Sequence, residues 1–173
     1  MTNSTGSFPP RLRPFEVHKR GMYSVGGYAK TPMMDKDILL YVGSLLMAEI
    51  NKGRLPPKIM RFSAHDLMVT TNRSTDGHAY RLLKSGFERI TGCLITTDIK
   101  TNEIEQSKGF HILESYEVLK SSHDKKRMVR IEVTVSDWLY NALLGKEVLT
   151  INRDYFRLRK PLERRLYEIA RKH

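Results

Sequence analysis

Short polar and basic side chains that can donate hydrogen bonds gather on one side of the segment Asp76–Thr91. At 3.6 residues per helical turn, Arg81, Lys84 and Ser85 fall on the same face. Guanidinium, ammonium and hydroxyl groups bond to phosphate oxygens and to base edges in the major groove of DNA. Glu88 lies on that face too and opposes this interpretation, because a carboxylate repels phosphate. The face therefore indicates either DNA contact or an ordinary solvated helix surface.

The other side of this segment is apolar, which predicts an amphipathic helix. Its apolar positions are Ala79, Leu82, Leu83, Phe87 and Ile90. Upstream, Ser63 stands three residues before Asp66 in a capping-box-like start of a shorter helix. Asn72–Thr75 separates the two helices with side chains that favour turns. This order predicts an α+β fold, a winged helix whose helix-turn-helix is followed by a wing hairpin from Cys93 to Leu119, with a small antiparallel sheet and about five helices.

Residues for DNA contact follow from this placement. Those predicted to reach the groove are Arg81, Lys84 and Ser85, with Ser74 a further DNA-binding candidate on the same outer face. Those predicted to contact phosphates are Arg73, Lys100, Lys108, Arg11 and Arg13. For the lysines of the predicted wing, a solvated surface is an equally good interpretation, because isolated lysines are common on protein surfaces.

Net charge strengthens the nucleic-acid interpretation. The chain has 173 residues, and its 30 Lys+Arg against 19 Asp+Glu leave a formal charge of +11. Such a surplus attracts polyanions through release of condensed counterions. The sequence has no apolar run of the roughly 18 residues that span a bilayer, and Cys93 is the only cysteine. We therefore expect no membrane partner and a reducing, cytoplasmic location.

The sequence predicts no catalytic site, no metal site and no cofactor. A phosphate-cradling loop needs a glycine upstream of Gly145-Lys146, and none is in place. The six histidines are scattered, with no pair at metal-binding spacing. Tyr155 could attack a DNA strand in principle, but no activating base or metal ligands accompany it, so a core aromatic is the better interpretation. We expect a protein that is not an enzyme.

Two parts of the chain are expected, a disordered tail over residues 1–13 and a DNA-binding and dimerisation domain over residues 14–173. In the last predicted helix, which starts at Pro161, the apolar side is expected to be buried. That side comprises Leu162, Leu166, Ile169 and Ala170. Arg164 and Glu168 are spaced for an exposed pair. Because no glycine or proline stops this helix, we expect the chain to be part of a longer protein.

Several stretches resemble the bacterial plasmid replication initiator protein A family. They are Met60–Phe62, Tyr80–Leu83, Ile131–Tyr140, Leu149–Ile151, Asp154–Leu158 and Leu162–His173. The resemblance covers most of the chain after about Phe15 and is most specific at the C-terminal end. It implies a winged-helix module in a protein that binds origin repeats and represses its own promoter. The partners expected are double-stranded DNA, a second copy of the chain and host replication proteins.

Two alternatives remain open at this level. The chain could be chiefly a dimerisation or partner-docking module of the initiator, with DNA read elsewhere. The apolar face of Ile38–Ile50 and the uncapped last helix favour that alternative. An ordinary transcriptional repressor is the second alternative.

Overall fold

The computed structural model describes residues 21–26, 33–101, 104–120, 128–145 and 151–172. Its strands are β1 (Gly21–Gly26), β2 (Ile59–Phe62), β3 (Leu94–Thr101), β4 (Ile104–His111), β5 (Leu113–Lys120) and β6 (Met128–Val135). Its helices are α1 (Met33–Asn51), α2 (Ala64–Thr70), α3 (Gly77–Gly92), α4 (Asp137–Leu144) and α5 (Pro161–Lys172), with a 3-10 helix at Arg153–Arg157. The tail predicted over residues 1–13 lies outside the described residues, so the domain boundary stays a prediction.

Helices α2 and α3 form the predicted helix-turn-helix, and local signals fix both ends of α2. Ser63 caps α2 by accepting a hydrogen bond from the Asp66 backbone N–H at 3.2 Å. Asn72 follows α2 with φ of 55°, the left-handed conformation that ends helices and that asparagine tolerates. Beyond it, the Arg73 N–H donates to the Met68 carbonyl at 2.8 Å, which completes a Schellman turn. The turn predicted at Asn72 is confirmed.

The strands form two antiparallel sheets of three strands each, ordered β1-β3-β4 and β2-β6-β5. The predicted hairpin from Cys93 to Leu119 is therefore wrong in part. β3 pairs with β4, whereas β5 leaves that sheet and pairs with β6. The change of partner occurs at Ile112, which is buried and whose carbonyl accepts from the Ser136 N–H at 3.2 Å. Burial at this residue turns one extended run into two strands with different neighbours.

Helix α1 lies at the centre of the main hydrophobic core. Ile38, Val42 and Leu46 are fully buried, so its apolar face is covered within the fold. From α3, Phe87 enters the same core and stacks on Tyr116 of β5, with ring centroids 5.4 Å apart. Each such buried side chain contributes about 1.5–3 kcal/mol relative to an exposed one. Apolar burial therefore fixes α3 against both α1 and the β2-β6-β5 sheet.

Helix α5 presents the opposite side from the one predicted. Leu162, Leu166 and Ile169 are 69%, 57% and 44% exposed, whereas Arg164 and Glu168 are 5% and 7% exposed. The expected buried apolar side and exposed ion pair are thus wrong. Arg164 and Glu168 point inward because buried acidic and basic partners receive them, as described below.

The architecture confirms the predicted α+β winged-helix class, with five α-helices among the described residues. None of these helices combines the length and apolar character that a membrane crossing requires.

Candidate nucleic-acid interface

The outward face of α3 holds the side chains predicted for the major groove. Arg81 and Lys84 are exposed and Ser85 is half-buried, while Leu83 and Phe87 lock the opposite face into the core. Within the described part of the chain, no ion pair engages Arg81. Its five guanidinium N–H donors therefore face solvent on a helix that is held rigidly from behind.

Glu88 and Lys84 form an ion pair on this face. Lys84 Nζ lies 3.4 Å from Glu88 Oε1, and both side chains are half exposed. Pairs of this kind at i,i+4 on a helix surface are weak and solvent-screened. The pair offsets the carboxylate that would repel phosphate, so the unbalanced positive charge of the face belongs to Arg81.

Ser74 belongs to the cap of α3. Its hydroxyl donates to Asp76 Oδ2 at 2.7 Å, and Asp76 Oδ1 accepts from the Ala79 N–H at 2.8 Å. That backbone hydrogen bond, followed by the one from Ser74, lowers the pKa of Asp76 below its ordinary value. Ser74 stays exposed, but its donor is used locally.

Arg73, predicted as a phosphate contact, binds a core carboxylate instead. Its Nε donates to Asp37 Oδ2 at 3.0 Å, and its Nη2 donates to the same oxygen. Asp37 is fully buried and Arg73 is mostly so. Arg73 therefore anchors the turn to α1, and its guanidinium is committed to the fold.

The other predicted phosphate contacts belong to segments of the sequence outside α3. Lys108 is exposed on β4, and Lys100 on β3 stands opposite Glu105 in the strand register. Arg11 and Arg13 lie outside the described residues, so their role stays a prediction.

Sequence reasoning missed basic residues at the outer end of the β5–β6 hairpin. Lys120 and Arg130 are exposed there, beside the pairing of Lys120 with Met128. This hairpin belongs to the sheet that contains β2, and β5 packs on α3. The available signal was the basic run Lys125–Arg127 that joins these strands in the sequence.

Both the sequence and the fold of this chain resemble those of known proteins. The family model for replication initiator protein A matches residues 16–173. The chain belongs to the replication initiator protein A family. A curated protein of Wigglesworthia glossinidia brevipalpis, named "Putative replication protein", is 37% identical over 143 residues. The match covers 82% of this chain and 52% of that protein, so the chain spans about half the length of its curated relative.

One solved structure supports the fold of this replication initiator family member. A crystal structure of domains 2 and 3 of RctB aligns with a TM-score of 0.56 at 12% identity, covering 94% of this chain and 67% of that one. The MSBI1.176 WH1 domain, described as a replication protein, aligns with a TM-score of 0.43 at 11% identity, covering 68% of this chain and 86% of that one. The first likeness shows a shared fold, and the second is too weak to support an inference.

Two side chains of this replication initiator family member could act as nucleophiles, Tyr155 and Cys93. Tyr155 is buried, and its hydroxyl donates to Glu168 Oε1 at 2.6 Å. Burial, followed by the neighbouring Glu168, raises the pKa of Tyr155 well above its usual range. Burial also raises the pKa of the Cys93 thiol. Both groups are thereby held in their neutral forms. Among the described residues, no cluster of three or more His, Cys, Asp or Glu could hold a metal ion.

Proposed function

We propose that this chain is a duplex-DNA-binding module of a plasmid replication initiator, and that α3 lies in the major groove of repeats at the replication origin. The observation that carries the proposal is Arg81, exposed on a helix whose opposite face is buried. An arginine so placed can bond a guanine through two donors. Family membership supports a role in replication initiation.

In this proposal, bases and phosphates are contacted by different residues. Arg81 and Ser85 reach base edges, and Lys84 turns from Glu88 to a phosphate. Lys108 on β4 contacts the phosphate backbone of the DNA, as do Lys100, Arg11 and Arg13. Lys120 and Arg130 at the β5–β6 hairpin flank the same duplex.

Further parts of the proposal concern the whole protein. Binding would proceed without catalysis, in the cytoplasm, and would extend to the initiator's own promoter. A second copy of the chain and host replication proteins are the protein partners we propose.

Footprinting and titration on the origin of the chain's own plasmid test this proposal. We expect Arg81→Ala to weaken binding to origin repeats by about 1–3 kcal/mol, roughly 5- to 150-fold. Lys100→Ala should weaken origin and scrambled duplexes alike. Arg165→Ala is the charge control, since it removes an exposed guanidinium from α5. If Arg81→Ala matches Arg165→Ala on origin DNA, α3 does not read bases.

A second candidate function is docking of a partner or a second copy, with DNA read elsewhere. The apolar face of α1 no longer supports it, because that face is covered by the core. The exposed stripe of Leu162, Leu166 and Ile169 on α5 does. A concentration-dependent dimer in sedimentation, without DNA affinity at low salt, would favour this function. A transcriptional repressor is separated by testing whether plasmid maintenance requires the full-length gene.

A further inference from the structure

The N-terminal part of α1 holds two fully buried carboxylates, Asp35 and Asp37, which bind arginines just before α3 and near its end. Asp37 accepts from Arg73, which stands in the turn just before α3. Asp35 accepts from Arg89 near the end of α3, from Nε at 2.8 Å and from Nη2 at 2.6 Å. Two guanidinium groups, one just before α3 and one near its end, thus tie α3 to the same part of α1.

Asp37 also holds α5. Its Oδ1 accepts from Arg164 Nη1, while Arg164 Nε donates to the Leu158 carbonyl at 2.8 Å. The Arg164 guanidinium lies over the Tyr155 ring, 4.8 Å from its centroid. Burial is the largest influence on the Asp37 pKa and raises it, and both arginines oppose that shift. The Asp37 carboxylate therefore binds the helix-turn-helix through Oδ2 and the last helix through Oδ1.

We propose that Asp37 is a positioning residue for DNA reading, through which the docking of α5 sets the orientation of the N-terminal end of α3. The inference rests on the proposed function, because it concerns the same helix. If Arg164 leaves Asp37, the carboxylate is left with Arg73 alone and gains freedom to move with the turn. The far end of α3 stays fixed by Asp35 and Arg89. Because Leu83 and Phe87 keep the rest of α3 in the core, only its N-terminal turn would loosen, and Arg81 beside that turn would lose its fixed position in the groove.

The contacts that attach α5 to the fold explain why the orientation of α3 depends on it. Its polar side enters the fold through Arg164 and Glu168, and Glu168 accepts from Lys36 of α1 as well as from Tyr155. Its apolar stripe faces solvent. Polar contacts of this kind form one network, in which a change at one residue alters the energies of the others.

The test compares Arg164→Gln with Arg165→Gln in the full chain. The two residues are adjacent on α5 and carry the same charge. Arg164 reaches Asp37, whereas Arg165 is exposed and makes only a 3.7 Å ion pair with Glu168. Without DNA, amide hydrogen exchange by NMR should become about tenfold faster across residues 71–79 in Arg164→Gln. In Arg165→Gln it should match the wild type, and the amides of β6 should be unchanged in both.

DNA titration supplies the second readout. The ratio of affinities for origin and scrambled duplexes should fall by about fivefold or more in Arg164→Gln but not in Arg165→Gln. Affinity for scrambled DNA should be equal in the two variants, since both lose one charge. A residue that only stabilises the fold would lower the melting temperature without changing this ratio.

Failures of the two proposals are distinguishable. A wild-type chain that binds origin and scrambled DNA equally would overturn the proposed function and the positioning role together. A discriminating wild type, with Arg164→Gln equal to Arg165→Gln in both readouts, would overturn the positioning role alone. If Arg164→Gln does not fold, Arg164→Lys compared with Arg165→Lys replaces it. A lysine keeps the charge but cannot reach Asp37 and the Leu158 carbonyl with a planar fork.

Discussion

Gly86 lies where α3 packs tightly on α1, and replacing it with alanine tests how rigidly α3 is held. A Cβ at this position would lie 2.7 Å from Ile38 Cδ1 and 3.2 Å from Asp35 Oδ1. The first distance is below any relaxed carbon contact, and Ile38 is fully buried and has little room to retreat. The second presses on the carboxylate that binds Arg89. The substitution should therefore strain both the core and the ion pair.

Two opposing effects decide the magnitude. Alanine is favoured over glycine inside a helix by about 1 kcal/mol. Adding a methyl group to a well-packed core costs about 1–3 kcal/mol. We therefore expect Gly86→Ala to change the free energy of unfolding by about 0 to 2 kcal/mol in the destabilising direction, although helix propensity alone predicts stabilisation.

Urea unfolding followed by circular dichroism measures this change. Gly92→Ala is the control, because the same methyl group at the end of α3 meets no atom within 4 Å. Ile38→Val removes the Cδ1 atom, so the cost of Gly86→Ala should shrink when it is made in that background. The reasoning is refuted if Gly86→Ala stabilises the chain as much as Gly92→Ala does.

Three further predictions concern caps, pH and the exposed face of α5. Ser136 caps α4 by accepting from the Leu139 N–H at 3.3 Å, so Ser136→Ala should cost about 1 kcal/mol in urea unfolding, with Ser136→Asp as the variant that retains the cap. Burial raises the pKa of Tyr41 to about 12. The contribution of this shift to the free energy of unfolding is complete below about pH 10 and is lost as pH rises toward 12. Tyr41→Phe should therefore flatten the pH dependence of stability in that window, and parallel pH profiles of variant and wild type would contradict this. Leu166→Lys should change stability by no more than about 0.5 kcal/mol because the side chain faces solvent, whereas a loss of about 2 kcal/mol or more would restore the buried side expected from the sequence.

Local signals account for the part of the fold that the sequence predicted well. Ser63 and Asn72 act on backbone groups within a few residues of themselves. The apolar spacing from Ala79 to Ile90 needs only the helical period to define a face. The helix predicted over Asp76–Thr91 is accordingly found at Gly77–Gly92. Features that depend on neighbours in sequence could be predicted from it.

Strand partners were harder to predict because pairing is non-local. The extended run from Ile104 to Lys120 contains Gly109, but β4 continues through it to His111, so this glycine does not mark the change of partner. Only the tertiary structure separates it, since β4 pairs with β3 whereas β5 pairs with β6. Periodicity indicates that a residue is in a strand, and the choice of partner depends on surfaces that are distant in sequence.

The candidate site shows the same limit for individual arginines. From sequence, Arg73, Arg81 and Arg164 are all expected to be exposed, each in or beside an amphipathic helix. Asp37 distinguishes them, because it lies 36 residues before Arg73 and 127 residues before Arg164 and binds both in the interior. Such a carboxylate makes an inward orientation favourable for the polar side of α5, and it thereby leaves the apolar side in solvent. Of these three arginines, Arg81 alone has no such partner among the described residues, and it is the one for which we propose DNA contact. The proposed interface therefore depends on the buried acids of α1 as much as on the basic residues of α3.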